Sequence, residues 1–253
     1  MDALTRLKYL IKTSKKLVVF TGAGISTESG ISDYRSKGGF WGRHAPVTYQ
    51  EFLSDDQKRV EYWNYKMELY ESLVKAVPNP GHYSIVKMEQ SGKLTAVITQ
   101  NIDGLHQLAG SHPNRVIELH GTNREVSCLS CRKLFPWQEV YQRLKDGESA
   151  PICLDCSGFL KPNTISFGQR IDPWTLDQAV QFSGDCDLFI AVGSTLVVEP
   201  AASLPRMAKR AGAALVIITL SETPLDGIAD LKIEASASET LSAAVQELSI
   251  VKL

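Results

Sequence analysis

Apolar positions fall into two kinds of run along the 253 residues. Leu17-Val18-Val19-Phe20, Leu94–Thr99, Arg115–Leu119, Leu188–Val192 and Ala214–Leu220 are short and bounded by polar or glycine residues. That is the pattern of strands buried on both faces. Between them the apolar spacing lengthens to three and four. Leu4, Leu7, Leu10 and Ile11 predict an amphipathic helix over residues 2–13. Val60, Trp63, Met67, Tyr70 and Val74 predict another over 56–76, stopped by Pro78-Asn79-Pro80-Gly81. Further helices are expected over 82–90, 201–211 and 240–248. Ser26 and Thr27 are N-cap residue types, so a helix is expected to begin there as well. Residues 36–49, with Gly38, Gly39, Gly42 and Pro46 around Phe40 and Trp41, read as loop. Strands alternating with helices predict an α/β fold: a parallel sheet with helices on both faces.

Four strand ends are polar or glycine-rich: Thr21-Gly22, Gln100-Asn101, His120-Gly121 and Gly193-Ser194. In open α/β sheets ligands bind outside the carboxyl ends of strands, so these distant segments are expected to share one site. Gly22-Ala23-Gly24 follows the first strand and suits close approach to a phosphate. Yet Thr27 stands where a dinucleotide fingerprint has its third glycine. The acidic strand end wanted about 20 residues on is replaced by the glycine-rich loop. Hydride transfer therefore loses support. Gln100-Asn101-Ile102-Asp103 carries three hydrogen-bonding side chains in four residues, more than turn chemistry requires. His120 is either a general base or a structural histidine.

Composition narrows the class. The chain is 43% hydrophobic, enough for a sizeable core, and its net charge of −1 argues against general affinity for nucleic acid or membrane. No apolar stretch reaches membrane-spanning length and the charged N-terminus lacks a signal sequence, so the chain reads as soluble and cytoplasmic. Cys128-Leu-Ser-Cys131 and Cys153-Leu-Asp-Cys156 form two knuckles. Without export signals, that spacing favours one structural Zn²⁺ held by four thiolates over disulfides. Cys186, before an apolar strand, reads as a packed residue.

Taken together the motifs resemble the sirtuin family. They are Gly22-Ala-Gly-Ile-Ser26, Asp33-Tyr34-Arg35, Thr99-Gln-Asn-Ile-Asp-Gly-Leu-His106 and Leu119-His120-Gly121. The cysteine pairs follow, then Lys161-Pro-Asn163, Phe167-Gly168, Gly193-Ser-Thr-Leu-Val-Val-Glu-Pro200 and Glu222-Thr-Pro224. The resemblance covers essentially the whole chain. It implies a Rossmann-like NAD-binding domain over 1–35, 76–123 and 167–253, a cofactor loop and helical segment over 36–75, and a zinc-binding small domain over 124–166. The implied reaction is NAD-dependent removal of acetyl or related acyl groups from protein lysines, giving nicotinamide and O-acyl-ADP-ribose. The acyl oxygen attacks the nicotinamide ribose at C1′, an alkylimidate forms, and His120 acts as base through the ribose hydroxyls.

By the same resemblance His120, Asn101 and Asp103 are the catalytic residues. NAD contacts are expected from Gly22, Ala23, Gly24, Ser26, Thr27, Asp33, Tyr34, Arg35, Gln100, Asn101, Ile102 and Asp103, and from Gly193, Ser194, Thr195, Thr219 and Leu220. Thr219 replaces an asparagine that usually bonds the adenosine ribose. An acyl-lysine peptide is expected to lie as an extended strand against Ile165, Phe167, Gly168 and Val197. Sirtuins that prefer acidic acyl groups carry Tyr-x-x-Arg where this chain has Trp63 and Lys66. Lysine lacks the bidentate fork, so no succinyl preference is expected. The expected partners are peptide substrates alone, with no nucleic acid or membrane, for a monomeric enzyme. The rival readings are a protein mono-ADP-ribosyltransferase and an NAD- or ADP-ribose-binding regulatory module.

Overall fold

The computed structural model describes residues 1–33 and 39–250. Its strands are β1 (Leu17–Thr21), β2 (Leu94–Thr99), β3 (Val116–Glu118), β4 (Gly121–Cys128), β5 (Leu134–Pro136), β6 (Leu160–Thr164), β7 (Leu188–Val192), β8 (Ala214–Ile218) and β9 (Leu231–Ile233). Its helices are α1 (Ala3–Thr13), α2 (Phe40–Arg43), α3 (Tyr49–Ser54), α4 (Asp56–Leu73), α5 (Pro80–Gln90), α6 (Leu105–Ala109), α7 (Trp137–Lys145), α8 (Pro173–Asp185), α9 (Ser203–Arg210) and α10 (Ala237–Ala244).

Six strands form one sheet in the order β3-β2-β1-β7-β8-β9, and every adjacent pair is parallel. The chain steps outward from β1 to β3, then restarts beside β1 with β7 and steps the other way. The switch of direction therefore lies between β1 and β7, where such sheets open a ligand crevice. Both faces are covered, as the unbroken apolar runs require. Val19, Leu94, Val97, Ile190 and Val216 pack on one side against Leu7 and Ile11 of α1, Ile85 and Met88 of α5 and Leu241 of α10. Val18, Phe20, Ile98, Phe189 and Ile217 pack on the other against Ala179 of α8 and Leu204 and Ala208 of α9. Each such side chain taken fully out of water contributes about 1.5–3 kcal/mol.

The helix expected from Ser26 or Thr27 does not form. Ala23–Ile25 and Thr27–Ser29 are single 3₁₀ turns, and Gly30, at φ 84°, closes the second. No apolar stripe follows Ser26 that could bury a helix against the sheet, and a short helix without packing is not self-sustaining. Helix α4 forms, but its buried side is not the one its apolar spacing suggests. Arg59, Tyr62, Trp63, Tyr65, Lys66 and Leu69 are buried, whereas Val74 is exposed. Long polar side chains bury their stems here: the Arg59 guanidinium lies 3.9 Å from the Phe159 ring centroid and donates to the Phe52 carbonyl.

Residues 121–164 carry a second, antiparallel sheet in the order β5-β4-β6. Its core combines Val126, Trp137, Val140, Leu160, Cys128 and Cys153, and Trp63 of α4 joins it edge-on to Trp137.

Candidate functional site

A cavity of about 650 Å³ opens at the carboxyl ends of β1, β2, β7 and β8. All four polar strand ends reach it, through Gly22, Gln100, Asn101, His120, Gly193 and Ser194. Ala23, Gly24, Thr27, Asp33, Ile102, Thr195, Thr219, Leu220, Ile165, Phe167 and Gly168 line it too. Ser26, Asp103 and Val197 are not among its lining residues. Tyr34 and Arg35 lie outside the described residues.

The glycines of the first loop have a physical reason that sequence did not show. Gly24 N–H donates to Gly193 O at 2.8 Å, and Gly22 N–H to Val192 O at 2.9 Å. A Cβ on Gly24 would meet Gly193 Cα at 2.7 Å, and one on Gly22 would meet Gly193 O at 2.8 Å. Gly193, at φ 61°, would press a Cβ to 2.4 Å from Ile25 N. The β1 and β7 loops thus touch backbone to backbone, and only glycine fits the seam. Thr27 donates its hydroxyl to Gly24 O at 3.1 Å, and Gln100 Nε2 donates to Ser194 Oγ at 2.8 Å, which ties β2 to the same seam.

Asn101 is buried; its Nδ2 donates to Gly22 O and Ser26 Oγ, each at 3.2 Å. Ser26 Oγ donates to Asp103 Oδ2 at 2.7 Å, and Leu105 N–H to Asp103 Oδ1 at 2.9 Å. Ser26 and Asp103 therefore brace Asn101. The half-buried His120 has Nδ1 3.1 Å from Gln100 O. A carbonyl only accepts, so Nδ1 carries the proton and Nε2 the lone pair of the neutral ring. This is the tautomer a general base needs.

Lys66, one of the two acyl-selecting positions that the resemblance marks, lines the cavity and Trp63 does not; Tyr62, Tyr65 and Leu69 of α4 complete a wall that was not foreseen. Burial pushes the Lys66 amine down to about 7 and the Tyr62 phenol up to about 12. Lys66 Nζ bonds Thr164 Oγ1 at 3.2 Å, and the fully buried Lys161 donates to Thr164 O. Burial, then the neighbouring Lys66, holds Lys161 well below the ordinary lysine range. Tyr62 and Tyr65 sit within a helix whose apolar spacing concealed them, and Lys66 is marked by the resemblance alone.

At the cavity mouth, Gln169 N–H donates to Ser166 O and Ser166 N–H to Gln169 Oε1, while Phe167 O accepts from Tyr49 N–H. These bonds shape the Ser166–Gln169 turn that exposes Phe167.

The four expected metal ligands converge. Cys128, Cys131, Cys153 and Cys156 place their sulfurs within 4.8 Å of one another, and none is in a disulfide. Cys128 and Cys156 sulfurs lie 3.5 Å apart and Cys131 and Cys153 sulfurs 3.8 Å. Four thiolates about 2.3 Å from one tetrahedral ion stand about 3.8 Å apart, so the set fits Zn²⁺. The knuckles repeat one turn: Arg132 and Ser157 follow the second cysteines at φ 64° and 58°, and donate to the Cys128 and Cys153 carbonyls. A Cβ on Gly158 would lie 2.9 Å from Cys128 Sγ.

Comparison with known proteins agrees in extent and kind. Residues 22–200 match the model of the Sir2 family. An NAD-dependent protein deacetylase of Thermodesulfovibrio yellowstonii is 45% identical over 240 residues, covering 95% of this chain and 93% of the relative. An NAD-dependent protein deacylase 2 of Archaeoglobus fulgidus is 41% identical over 98% of this chain and 96% of its own. A solved structure of Sir2 with a p53 peptide and NAD⁺ superposes with a TM-score of 0.87 at 37% identity, over 98% of both chains.

Proposed function

The chain belongs to the Sir2 family, and we propose on that ground that it removes acetyl and related acyl groups from protein lysines at the expense of NAD. The observation that carries the reading is convergence: His120 and Asn101 line the same cavity as the Gly22–Gly24 and Gly193–Thr195 loops. NAD supplies, when bound, an electrophilic ribose carbon from which nicotinamide departs. In this reading the β1–β7 seam, with Thr27, Gln100, Ser194 and Thr195, holds the dinucleotide, and Thr219 and Leu220 take its adenosine end. Thr219 Oγ1 accepts from Ser221 N–H at 3.3 Å. Its short side chain reaches less far than an amide.

Asn101 and Ile102 bound the nicotinamide end, and Asp103 acts through Ser26 to hold Asn101 in place. His120 Nε2 takes a proton from a ribose hydroxyl once the acyl oxygen has attacked, and Gln100 O keeps that nitrogen basic by accepting from Nδ1. The substrate enters as an extended peptide along Ile165–Gly168, with Val197 on the opposite side. Ser166 and the Phe167 carbonyl are already hydrogen-bonded, and in this reading Gly168 adds main-chain bonds to the peptide. In the same reading Tyr34 covers the site that nicotinamide vacates and Arg35 steadies the cofactor loop and the phosphates.

The nucleotide-binding body comprises 1–35, 76–123 and 167–253, with 36–75 as loop and helical segment and 124–166 as the zinc module. The four cysteines hold a structural ion; four thiolates leave it no open position for catalysis. The enzyme works as a cytoplasmic monomer on peptide and protein substrates. No described helix is long and apolar enough to cross a membrane.

The test is a mass measurement on acetyl-lysine peptide incubated with and without NAD, beside His120→Ala. NAD-dependent deacetylation with O-acetyl-ADP-ribose, lost in the variant, is expected. A mass gain of ADP-ribose on protein with the acetyl group retained would move the reading to ADP-ribosyl transfer.

A further inference from the structure

The turn at the cavity mouth has two forms open to it that differ by one peptide unit. Gln169 N–H donates to Ser166 O at 2.9 Å, which closes a four-residue turn with Phe167 and Gly168 at its centre. Of the two central residues Gly168 alone has a positive φ, 78°. That is the type II turn; the type I turn keeps the same closing bond with φ of about −90° at that residue. The forms interconvert when the peptide unit between Phe167 and Gly168 rotates by roughly half a turn. The unit is planar and trans, so its C=O and N–H point in opposite directions and move together. Glycine takes either sign of φ about as readily, so residue 168 leaves the choice open.

The choice is made from α3. Phe167 O accepts from Tyr49 N–H at 2.8 Å. Tyr49 is the first residue of α3, and its N–H is one of the donors that a helix N-terminus leaves without an intrahelical partner. Thr48 and Glu51 satisfy each other in a capping box, Thr48 N–H to Glu51 Oε2 at 2.8 Å and Glu51 N–H to Thr48 Oγ1 at 3.3 Å. The Tyr49 donor goes to the turn instead. A Cβ on Gly168 would meet Gln50 Oε1 at 2.8 Å, so α3 lies against both central residues. In the type I form the Phe167 carbonyl would swing away and the Gly168 N–H would turn toward Tyr49 N–H, donor against donor.

We propose that Tyr49, through its main-chain N–H, is a positioning residue for the substrate peptide: it holds the Ser166–Gln169 turn in the form whose Gly168 N–H faces away from α3. The role rests on the reading in which the acyl-lysine peptide bonds to Gly168, which lines the cavity, whereas Tyr49 does not. With the carbonyl tied to the helix, the N–H at the other end of the same rigid unit is set before the peptide arrives.

The test replaces the donor without removing the helix. Proline is favoured at the first helical position, and Thr48, at φ −71° and ψ 162°, already has the conformation that precedes proline. Tyr49→Pro therefore deletes the N–H, and its ring carbon, standing where the hydrogen was, drives the Phe167 carbonyl away. Tyr49→Ala is the control that loses the phenol ring and keeps the donor. Losing one such bond is worth roughly three- to tenfold, so peptide KM should rise at least that much in Tyr49→Pro relative to Tyr49→Ala. KM for NAD at saturating peptide should be equal in the two. Gly168→Ala, whose side chain disfavours positive φ, should raise peptide KM as well. The double variant Tyr49→Pro/Gly168→Ala should fall short of the product of the single effects, because both act on one rotation. Equal peptide KM in Tyr49→Pro and Tyr49→Ala, a parallel rise in KM for NAD, a Gly168→Ala enzyme with native peptide KM, or a double variant at the full product each overturns the role. Calorimetry with acetyl-lysine peptide separates the two levels. A native protein that neither binds nor deacetylates the peptide removes the functional reading and the role with it; a native protein that does both, with Tyr49→Pro binding the peptide as tightly, removes the role alone.

Discussion

Replacing Gly24 by alanine puts a methyl group into the seam between the β1 and β7 loops. The new carbon would sit 2.7 Å from Gly193 Cα, 2.9 Å from its O and 3.1 Å from its C. All three are backbone atoms, so no rotamer change relieves them. Carbon contacts settle at about 3.5–4.0 Å, so the loops must part by roughly 0.8 Å or more. The Gly24 N–H bond to Gly193 O, 2.8 Å long, stretches with them. Overpacking of this kind costs about 1–3 kcal/mol and a lost hydrogen bond about 1 more, giving an expected loss of about 2–4 kcal/mol.

Gly30→Ala and Gly42→Ala are the controls. Neither meets anything within 4 Å, but Gly30 sits at φ 84°. Gly30→Ala should therefore cost about 1–2 kcal/mol from left-handed strain alone, and Gly42→Ala, within α2, should cost nothing and stabilise by up to about 1 kcal/mol. Urea unfolding monitored by circular dichroism gives the order, and KM for NAD should rise at least tenfold in Gly24→Ala alone, because the displaced atoms form the cavity wall. A Gly24→Ala loss below about 0.5 kcal/mol, or one smaller than that of Gly30→Ala, would refute the seam.

Removing the metal with a chelator should melt the β5-β4-β6 sheet and, through the Trp63–Trp137 contact, loosen α4; metal analysis should return one zinc per chain, and full activity of zinc-free protein would contradict it. Stability should fall as pH drops from about 6.5 to 4, because His82 and His106 are neutral when folded, with pKa values of about 4, and take up protons on unfolding. The unfolded chain binds more protons in that window, so each imidazole adds a slope of up to about 1.4 kcal/mol per pH unit; His106→Gln should flatten it, and an unchanged slope would contradict the burial argument. Above pH 8 the Lys66 amine, held near 7 by burial, is mostly neutral. Succinyl-lysine peptide should then be no better a substrate than acetyl-lysine peptide in kcat/KM, and a large succinyl preference at pH 8.5 would contradict the charge assigned to that wall.

The central strands were legible because β1, β2, β7 and β8 are buried on both faces and must be continuously apolar. Their polar ends were legible for the converse reason, since a side chain such as Asn101 or His120 has no cause to follow a buried strand unless the strand opens onto a site. The cysteine spacing carried the metal centre unaided. Lys66 was legible only through the resemblance, and the rest of the α4 wall was hidden because Tyr62 and Tyr65 are buried by neighbours on several sides, which erases a single apolar stripe. The pairing of β4 with β6 joins residues more than thirty apart, and neither strand alternates cleanly. The three-residue β9 is shorter than any periodicity can register. The reason for glycine at Gly22 and Gly24 is a tertiary contact with Gly193, which no local pattern contains.

The stoichiometry of one turnover tests the account most directly. Acetyl-lysine peptide, NAD and enzyme are mixed, and nicotinamide and deacetylated peptide are counted together by mass spectrometry. The account predicts one nicotinamide for each acetyl group removed, with the acetyl recovered on ADP-ribose and both products absent with His120→Ala. Deacetylation without NAD loss, or NAD loss without deacetylation of any acyl-lysine peptide offered, would contradict it.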